Sequence, residues 1–290
     1  MAEQTPETDP LPPLREVIRD YDLRASKSFG QNFILDLNVT RRIARAAAPL
    51  GQVIEIGPGP GGLTRGLLME GAAKVTVIEA DERFLPALED IAAAYPGRLE
   101  IVIGDALKIT PAELLPESTN KTAAYKIVGN LPYNVATPLL INWLTETPIR
   151  WESLTLMFQK EVGDRICARP GEAAYGRLGV LSGWLTEAQT LFDVPASVFV
   201  PPPKVTSSIV QLIPRPTPLD DADPATLEKL TAAAFGQRRK MLRASLKQLC
   251  KDPTAVLEQV GIDPTRRAET LEIQEFCALA RVLNSDMMAR

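Results

Sequence analysis

Short apolar runs recur at Gln52 to Ile56, Lys74 to Ile78, Glu100 to Ile103, Tyr125 to Val128 and Leu154 to Phe158, with intervals between them long enough for helices. Parallel strands need crossover segments of such length to join them. The pattern predicts a βα repeat around a mostly parallel sheet, an α/β fold. Leu63 to Glu70, Phe84 to Tyr95 and Pro138 to Thr145 read as helices, and Gln189 to Val194 and Ser207 to Ile213 as a last pair of strands, antiparallel at one edge.

Prolines at 214, 216, 218 and 224, with acids at Asp220, Asp221 and Asp223, break both helix and ladder and mark a linker. Beyond it, Asp223-Pro224, Asp252-Pro253 and Asp263-Pro264 each read as a helix start, a capping carboxylate followed by proline at the first helical position. The expected organisation is a disordered acidic tail over 1–13, a catalytic domain over 14–214 and a small all-helical domain over 219–290. At 290 residues the chain is long enough for two domains.

The chain has no histidine, which removes Ser-His-Asp and Cys-His nucleophile pairs and histidine-containing zinc sites. Cys167, Cys250 and Cys277 lie far apart, so neither a zinc cluster nor a disulfide framework is suggested, and no metal is expected. The acidic, proline-rich start is no secretory signal, and no run of about 18 apolar residues exists to span a membrane. A soluble, cytoplasmic protein is expected.

The net charge of −4 is unevenly placed. Residues 236–251 carry Arg238, Arg239, Lys240, Arg243, Lys247 and Lys251 with no acid, and residues 24–45 carry Arg24, Lys27, Arg41, Arg42 and Arg45 against Asp36 alone. Such blocks can bind phosphates whatever the overall sum, or form ordinary solvated faces.

Glu55-Ile56-Gly57-Pro58-Gly59-Pro60-Gly61-Gly62 places a glycine-rich turn between a predicted strand and a predicted helix, where backbone can approach a ligand closely. Its spacing satisfies both the dinucleotide pattern and that of S-adenosylmethionine methyltransferases. Glu79 ends the next strand, where a carboxylate can accept from both ribose hydroxyls, and this too is common to both. Asp105, after the third strand, suits an adenine amino group or serves as a helix cap.

Gly129-Asn130-Leu131-Pro132-Tyr133 follows the fourth strand and resembles the Asn/Asp-Pro-Pro-Tyr loop of methyltransferases acting on exocyclic amines. An adenine N6 lone pair is delocalised into the ring. The Asn130 side-chain oxygen and the Leu131 carbonyl could hold both N6 hydrogens and favour a tetrahedral, more nucleophilic nitrogen. Pro132 would stiffen the loop, and Tyr133 could stack on an extruded base.

With these residues in place, the chain resembles the bacterial small-subunit ribosomal RNA adenine dimethyltransferase family. Further matching segments are Lys27 to Ile34, Asn134 to Pro138, Phe158-Gln159-Lys160-Glu161-Val162, Pro170-Gly171 through Tyr175-Gly176-Arg177-Leu178, Phe199 to Lys204 with Val205-x-Ser207, and Phe235 to Lys240. They run from about residue 24 to the C-terminus. The resemblance implies a Rossmann-like class I S-adenosylmethionine-dependent methyltransferase sheet. It implies a cofactor site in which Asn32 and the Ile34 backbone close over S-adenosylmethionine, Gly57 approaches its methionine part, Glu79 holds the ribose and Asp105 the adenine, with Asn130 bordering it. It further implies that Phe199 and Tyr133 sandwich the target base. Ile34 stands where the family usually has Leu, and the acidic extension over 1–13 departs from the family's short N-terminus.

The activity implied is dimethylation at N6 of two adjacent adenosines in the 3'-terminal hairpin loop of 16S ribosomal RNA, within the small subunit and tied to its biogenesis, by a monomer. Arg24, Lys27 and Arg177, with Arg238, Arg239, Lys240, Arg243 and Lys247, are the candidate RNA contacts. Rival readings are an erythromycin-resistance-type methyltransferase acting on large-subunit RNA, an assembly factor whose methylation is incidental, and an NAD-dependent oxidoreductase.

Overall fold

The computed structural model describes residues 9–25, 30–114, 125–146, 148–237 and 239–288. The strands are β1 (Phe33–Ile34), β2 (Gln52–Ile56), β3 (Lys74–Glu79), β4 (Leu99–Ile103), β5 (Tyr125–Gly129), β6 (Trp151–Gln159), β7 (Thr186–Val194), β8 (Phe199–Val200) and β9 (Ser207–Pro214). The helices are α1 (Leu14–Asp20), α2 (Leu37–Ala46), α3 (Gly62–Met69), α4 (Leu85–Ala94), α5 (Tyr133–Thr145), α6 (Lys160–Cys167), α7 (Arg177–Leu185), α8 (Pro224–Gly236), α9 (Leu242–Ser245), α10 (Pro253–Gln259) and α11 (Ile273–Met288). The described residues divide into two compact units.

The first unit holds the residues up to Leu140, Arg150–Lys160 and Thr190–Leu212. The main sheet runs β4-β3-β2-β5-β6-β9-β7. From β4 to β6 every pair is parallel, and β9 then runs antiparallel to β6. The chain moves outward from β2 through β3 to β4 and then returns to lay β5 on the other side of β2, so the connections from β2 and β5 diverge at their carboxyl ends. Open α/β sheets bind ligands at such a switch point. β1 pairs with β8 in a separate ribbon, Ile34 opposite Phe199.

All eight residues of α3 are buried. It lies close against α2 because Gly66 has no Cβ: one built there would stand 2.9 Å from the Thr40 carbonyl carbon. Burial of α3 includes Arg65, 1% exposed. Its Nε donates to Asp9 Oδ2 at 2.8 Å, and Nη2 donates both to that same oxygen and, at 3.2 Å, to the Leu11 carbonyl. The tail expected to be disordered to residue 13 is therefore anchored from Asp9 onward, through the pair of Asp9 with the buried Arg65 guanidinium.

The second unit takes Ile141–Ile149, Glu161–Gln189 and the residues from Ile213 on. It is thus larger than the 219–290 domain expected from the proline linker. The 161–189 segment joins it because Tyr175 meets Phe235 edge-on at 5.9 Å, Phe235 lies 5.6 Å from Phe276, and Trp184 Nε1 donates to the Asp220 carbonyl at 2.7 Å. Asp223 and Asp252 cap α8 and α10 as expected, accepting from Thr226 N and Ala255 N. Asp263 instead opens a turn. The carbonyls of Pro264 and Arg266, which would continue a helix, accept from Arg243 N and Leu242 N.

Those same bonds bear on the basic block. The block forms α9, four residues long, and a 3-10 turn over Leu246–Gln248, with Leu242, Ser245 and Leu246 buried. Arg239, Lys240, Arg243 and Lys247 are exposed; Arg238 and Lys27 lie outside the described residues.

Candidate active site

The two loops at the switch point leave neighbouring strands. Glu55 on β2 pairs with Val128 on β5, which places the turn from Gly57 beside the loop from Asn130. Gly57, Gly59 and Gly61 all have positive φ, at 67°, 54° and 86°. Gly61 caps α3 at a φ of 86°, a conformation that side-chain-bearing residues rarely adopt, and a Cβ there would also meet Ile91 Cδ1. A Cβ on Gly62 would stand 2.7 Å from the Ile34 carbonyl oxygen, and this close approach brings β1 over the turn. Asn32, Ile34, Gly57, Glu79, Asp105, Asn130, Leu131, Pro132 and Tyr133 all line one cavity at the carboxyl edge of the sheet.

Glu79 is 6% exposed and accepts from Gly59 N through Oε2 and from Asp81 N through Oε1, both at 2.9 Å. Each oxygen keeps an acceptor direction for a ligand hydroxyl. Burial raises its carboxyl pKa, and the two backbone donors partly offset the rise. Asp81 in turn accepts from Gln31 Nε2 at 3.1 Å and from Arg83, which holds its carboxyl below the usual range, so the segment ahead of β1 is tied to the Glu79 loop. Asp105 is exposed and accepts from Leu107 N at 3.0 Å, so it caps a turn while it lines the cavity.

Asn130 is half-buried, and its Nδ2 donates to the Asn32 carbonyl at 3.1 Å. Facing an acceptor fixes the amide, leaving Oδ1 as the end for a donor. Pro132 O accepts from Val135 N and Ala136 N, so the loop passes directly into α5. That helix begins at Tyr133, five residues before the expected start at Pro138, which sits inside it. Tyr133 bonds through its hydroxyl to Ser207 Oγ at 2.7 Å.

Phe199 does not join the cavity wall: it is 2% exposed and packs in the core with Phe33 and Val194. Arg24 is exposed beside Asp22, and Arg177 is committed to an ion pair with Glu228. Sequence reasoning gave Glu55 no role beyond its place in the glycine pattern. It is 1% exposed, lines the cavity, and accepts from Thr64 Oγ at 2.6 Å. Burial pushes its carboxyl up to about 8. The signal for it was an acid inside an otherwise apolar strand.

Comparison with known proteins bears on the rival readings of this cavity. The family described as ribosomal RNA adenine dimethylase matches residues 23–285. The chain belongs to the ribosomal RNA adenine dimethylase family. A ribosomal RNA small subunit methyltransferase A from Bradyrhizobium diazoefficiens is 61% identical over 279 residues, covering 95% of this chain and 96% of that relative. The protein of the same name from Paracoccus denitrificans is 59% identical, with 95% and 97% covered. Among solved structures of this type, a dimethyladenosine transferase from Plasmodium falciparum aligns with TM-score 0.67 at 26% identity over 85% of this chain and 96% of that one. The 23S rRNA methyltransferase ErmE aligns with TM-score 0.62 at 28% identity, over 87% and 100%. The sheet is thus a class I methyltransferase sheet. No helix among the described residues is long and apolar enough to cross a membrane.

Proposed function

We propose that the chain transfers methyl groups from S-adenosylmethionine to N6 of adenine in ribosomal RNA, specifically to two adjacent adenosines in the 3'-terminal hairpin loop of 16S RNA in the small subunit. The observation that carries the reading is the Asn130–Tyr133 loop at the carboxyl end of β5, side by side with the glycine turn of β2. The large-subunit alternative ranks lower, since identity is 28% to ErmE against 61% to the small-subunit relative.

The residues present suit the cofactor. Gly57 and Gly59, with positive φ, bare a backbone edge, and Glu79 keeps acceptor directions for a ribose. S-adenosylmethionine supplies a methyl group already made electrophilic by a positively charged sulfur. The chain's own task is then positioning. Asn130 Oδ1 and the Leu131 carbonyl accept the two N6 hydrogens and draw that nitrogen toward tetrahedral geometry. Tyr133 stacks on the base, whose extrusion costs least from a single-stranded loop. No strong base is needed, because the alkylated nitrogen becomes acidic and loses its proton afterwards.

The test is methyl incorporation from labelled S-adenosylmethionine into small subunits lacking the hairpin modification, beside large subunits and naked RNA, with nucleoside mass analysis. N6,N6-dimethyladenosine in small subunits alone is expected. Methylation of large subunits, or none, would overturn the reading.

A further inference from the structure

Two segments of the family resemblance have no part in the chemistry above: Phe158 to Val162, and the Val205-x-Ser207 end of the proline-rich stretch. In the structure they adjoin each other. Gln159 pairs with Ser207 in the β6–β9 ladder, and Lys160 N donates to the Thr206 carbonyl at 2.9 Å. Ser208 Oγ donates to Asp193 Oδ1 at 2.6 Å, and Lys160 Nζ lies 3.0 Å from the other carboxylate oxygen. Ser207 is fully buried within this frame, and its hydroxyl meets the Tyr133 phenol.

We propose that Ser207 is a positioning residue for methyl transfer: held by the β6–β9 ladder and the Ser208–Asp193–Lys160 chain, it fixes the tilt of the Tyr133 ring on which the target adenine stacks. The inference rests on the reading of Tyr133 as that platform. Tyr133 opens α5 and is half-buried, so packing encloses only part of the ring. A hydrogen bond at the far end of the ring restrains the rest. Stacked aromatics have shallow preferences among offset arrangements, so stacking alone would not set the tilt. Transfer to N6, in contrast, is steep in alignment, with misplacement by about 1 Å costing on the order of 10²-fold.

Four variants test this, read as transfer rate per folded molecule, RNA KM and cofactor Kd. Tyr133→Phe removes the hydroxyl without touching β9, and Ser207→Ala removes its partner. Each is expected to lower kcat about 10-fold while KM and cofactor Kd stay within about 2-fold, because the stacking face and the cofactor cavity are retained. The double variant should be no slower than either single one, since all three lack the same bond. Tyr133→Ala should be slower than all of them. Full activity in Tyr133→Phe, or single effects that multiply in the double variant, would overturn the proposal even with Tyr133→Ala impaired. Unimpaired Tyr133→Ala would overturn the platform reading and the proposal with it, whereas an inactive parent chain would overturn the function itself.

Discussion

Asn130 is restrained at its nitrogen and available at its oxygen, an arrangement that separates two roles one residue might otherwise mix. If the oxygen acts on N6 only as that nitrogen turns tetrahedral, its loss belongs to the transition state. Asn130→Ala should therefore lower methyl transfer by roughly 10²- to 10³-fold, the scale for losing one preorganised polar partner, with cofactor affinity much less affected. Isothermal titration beside single-turnover transfer checks this, and equal losses in both would contradict it. Glu55 gives a prediction in pH. Burial holds its proton in the folded chain up to about 8, whereas an unfolded glutamate releases it near its ordinary value of 4.5. The folded state binds the extra proton between those values, so stability falls as pH rises through that window, by up to about 1.4 kcal/mol per pH unit. Glu55→Gln stays neutral and can still accept from Thr64. Without cofactor, its melting temperature relative to the parent should climb from pH 5 to pH 9; parallel profiles would show that Glu55 is ionised throughout.

At the scale of elements, α3 depends on a segment far from it in the chain. Arg65 is buried on a helix that starts from the cofactor turn, and its carboxylate partner comes from Asp9. Removing one partner of a buried pair leaves an uncompensated charge, worth about 3–5 kcal/mol. Asp9→Asn should show that loss in urea denaturation, and Asp9→Asn with Arg65→Met should recover most of it. A loss under about 0.5 kcal/mol in the single variant would mean that the guanidinium is solvated. No periodicity could reveal this pair, because its members stand 56 residues apart, nor the Tyr133–Ser207 bond across 74. What was legible was local. The short, largely apolar run at Gln52 to Ile56 gave β2 to the residue, and capping chemistry gave α8 and α10. The same Asp-Pro signal failed at Asp263, where backbone donors from α9 take the carbonyls a helix would use. The glycine turn and the Asn130 loop were readable because strand ends and turn residues carry their own signals. Phe199 was assigned from resemblance alone, and it lies in the core of the first unit.

At the scale of the molecule, a net charge of −4 must coexist with an RNA substrate. Screening resolves the conflict: at physiological ionic strength charges are felt over roughly 8 Å, so a phosphate responds to the face it touches. Arg239, Lys240, Arg243 and Lys247 are the residues we propose for such a face, exposed and with no acid among residues 236–251. Arg177 does not add to it, since Glu228 already neutralises it. Removing one cation from the RNA backbone should flatten the slope of log affinity against log salt by about 0.7 to 0.9. Arg239→Glu with Lys240→Glu should therefore weaken binding to small subunits and reduce that slope by about 1 to 2, measured by filter binding across a salt series. Cofactor affinity should not move, because the cavity is lined entirely by residues of the first unit. An unchanged slope would make the basic run an ordinary solvated face and shift the search for the RNA grip to the cations around Arg41, Arg42 and Arg45. Of these, Arg41 and Arg45 already share Glu70, which leaves them less charge to offer a phosphate than the run in the second unit.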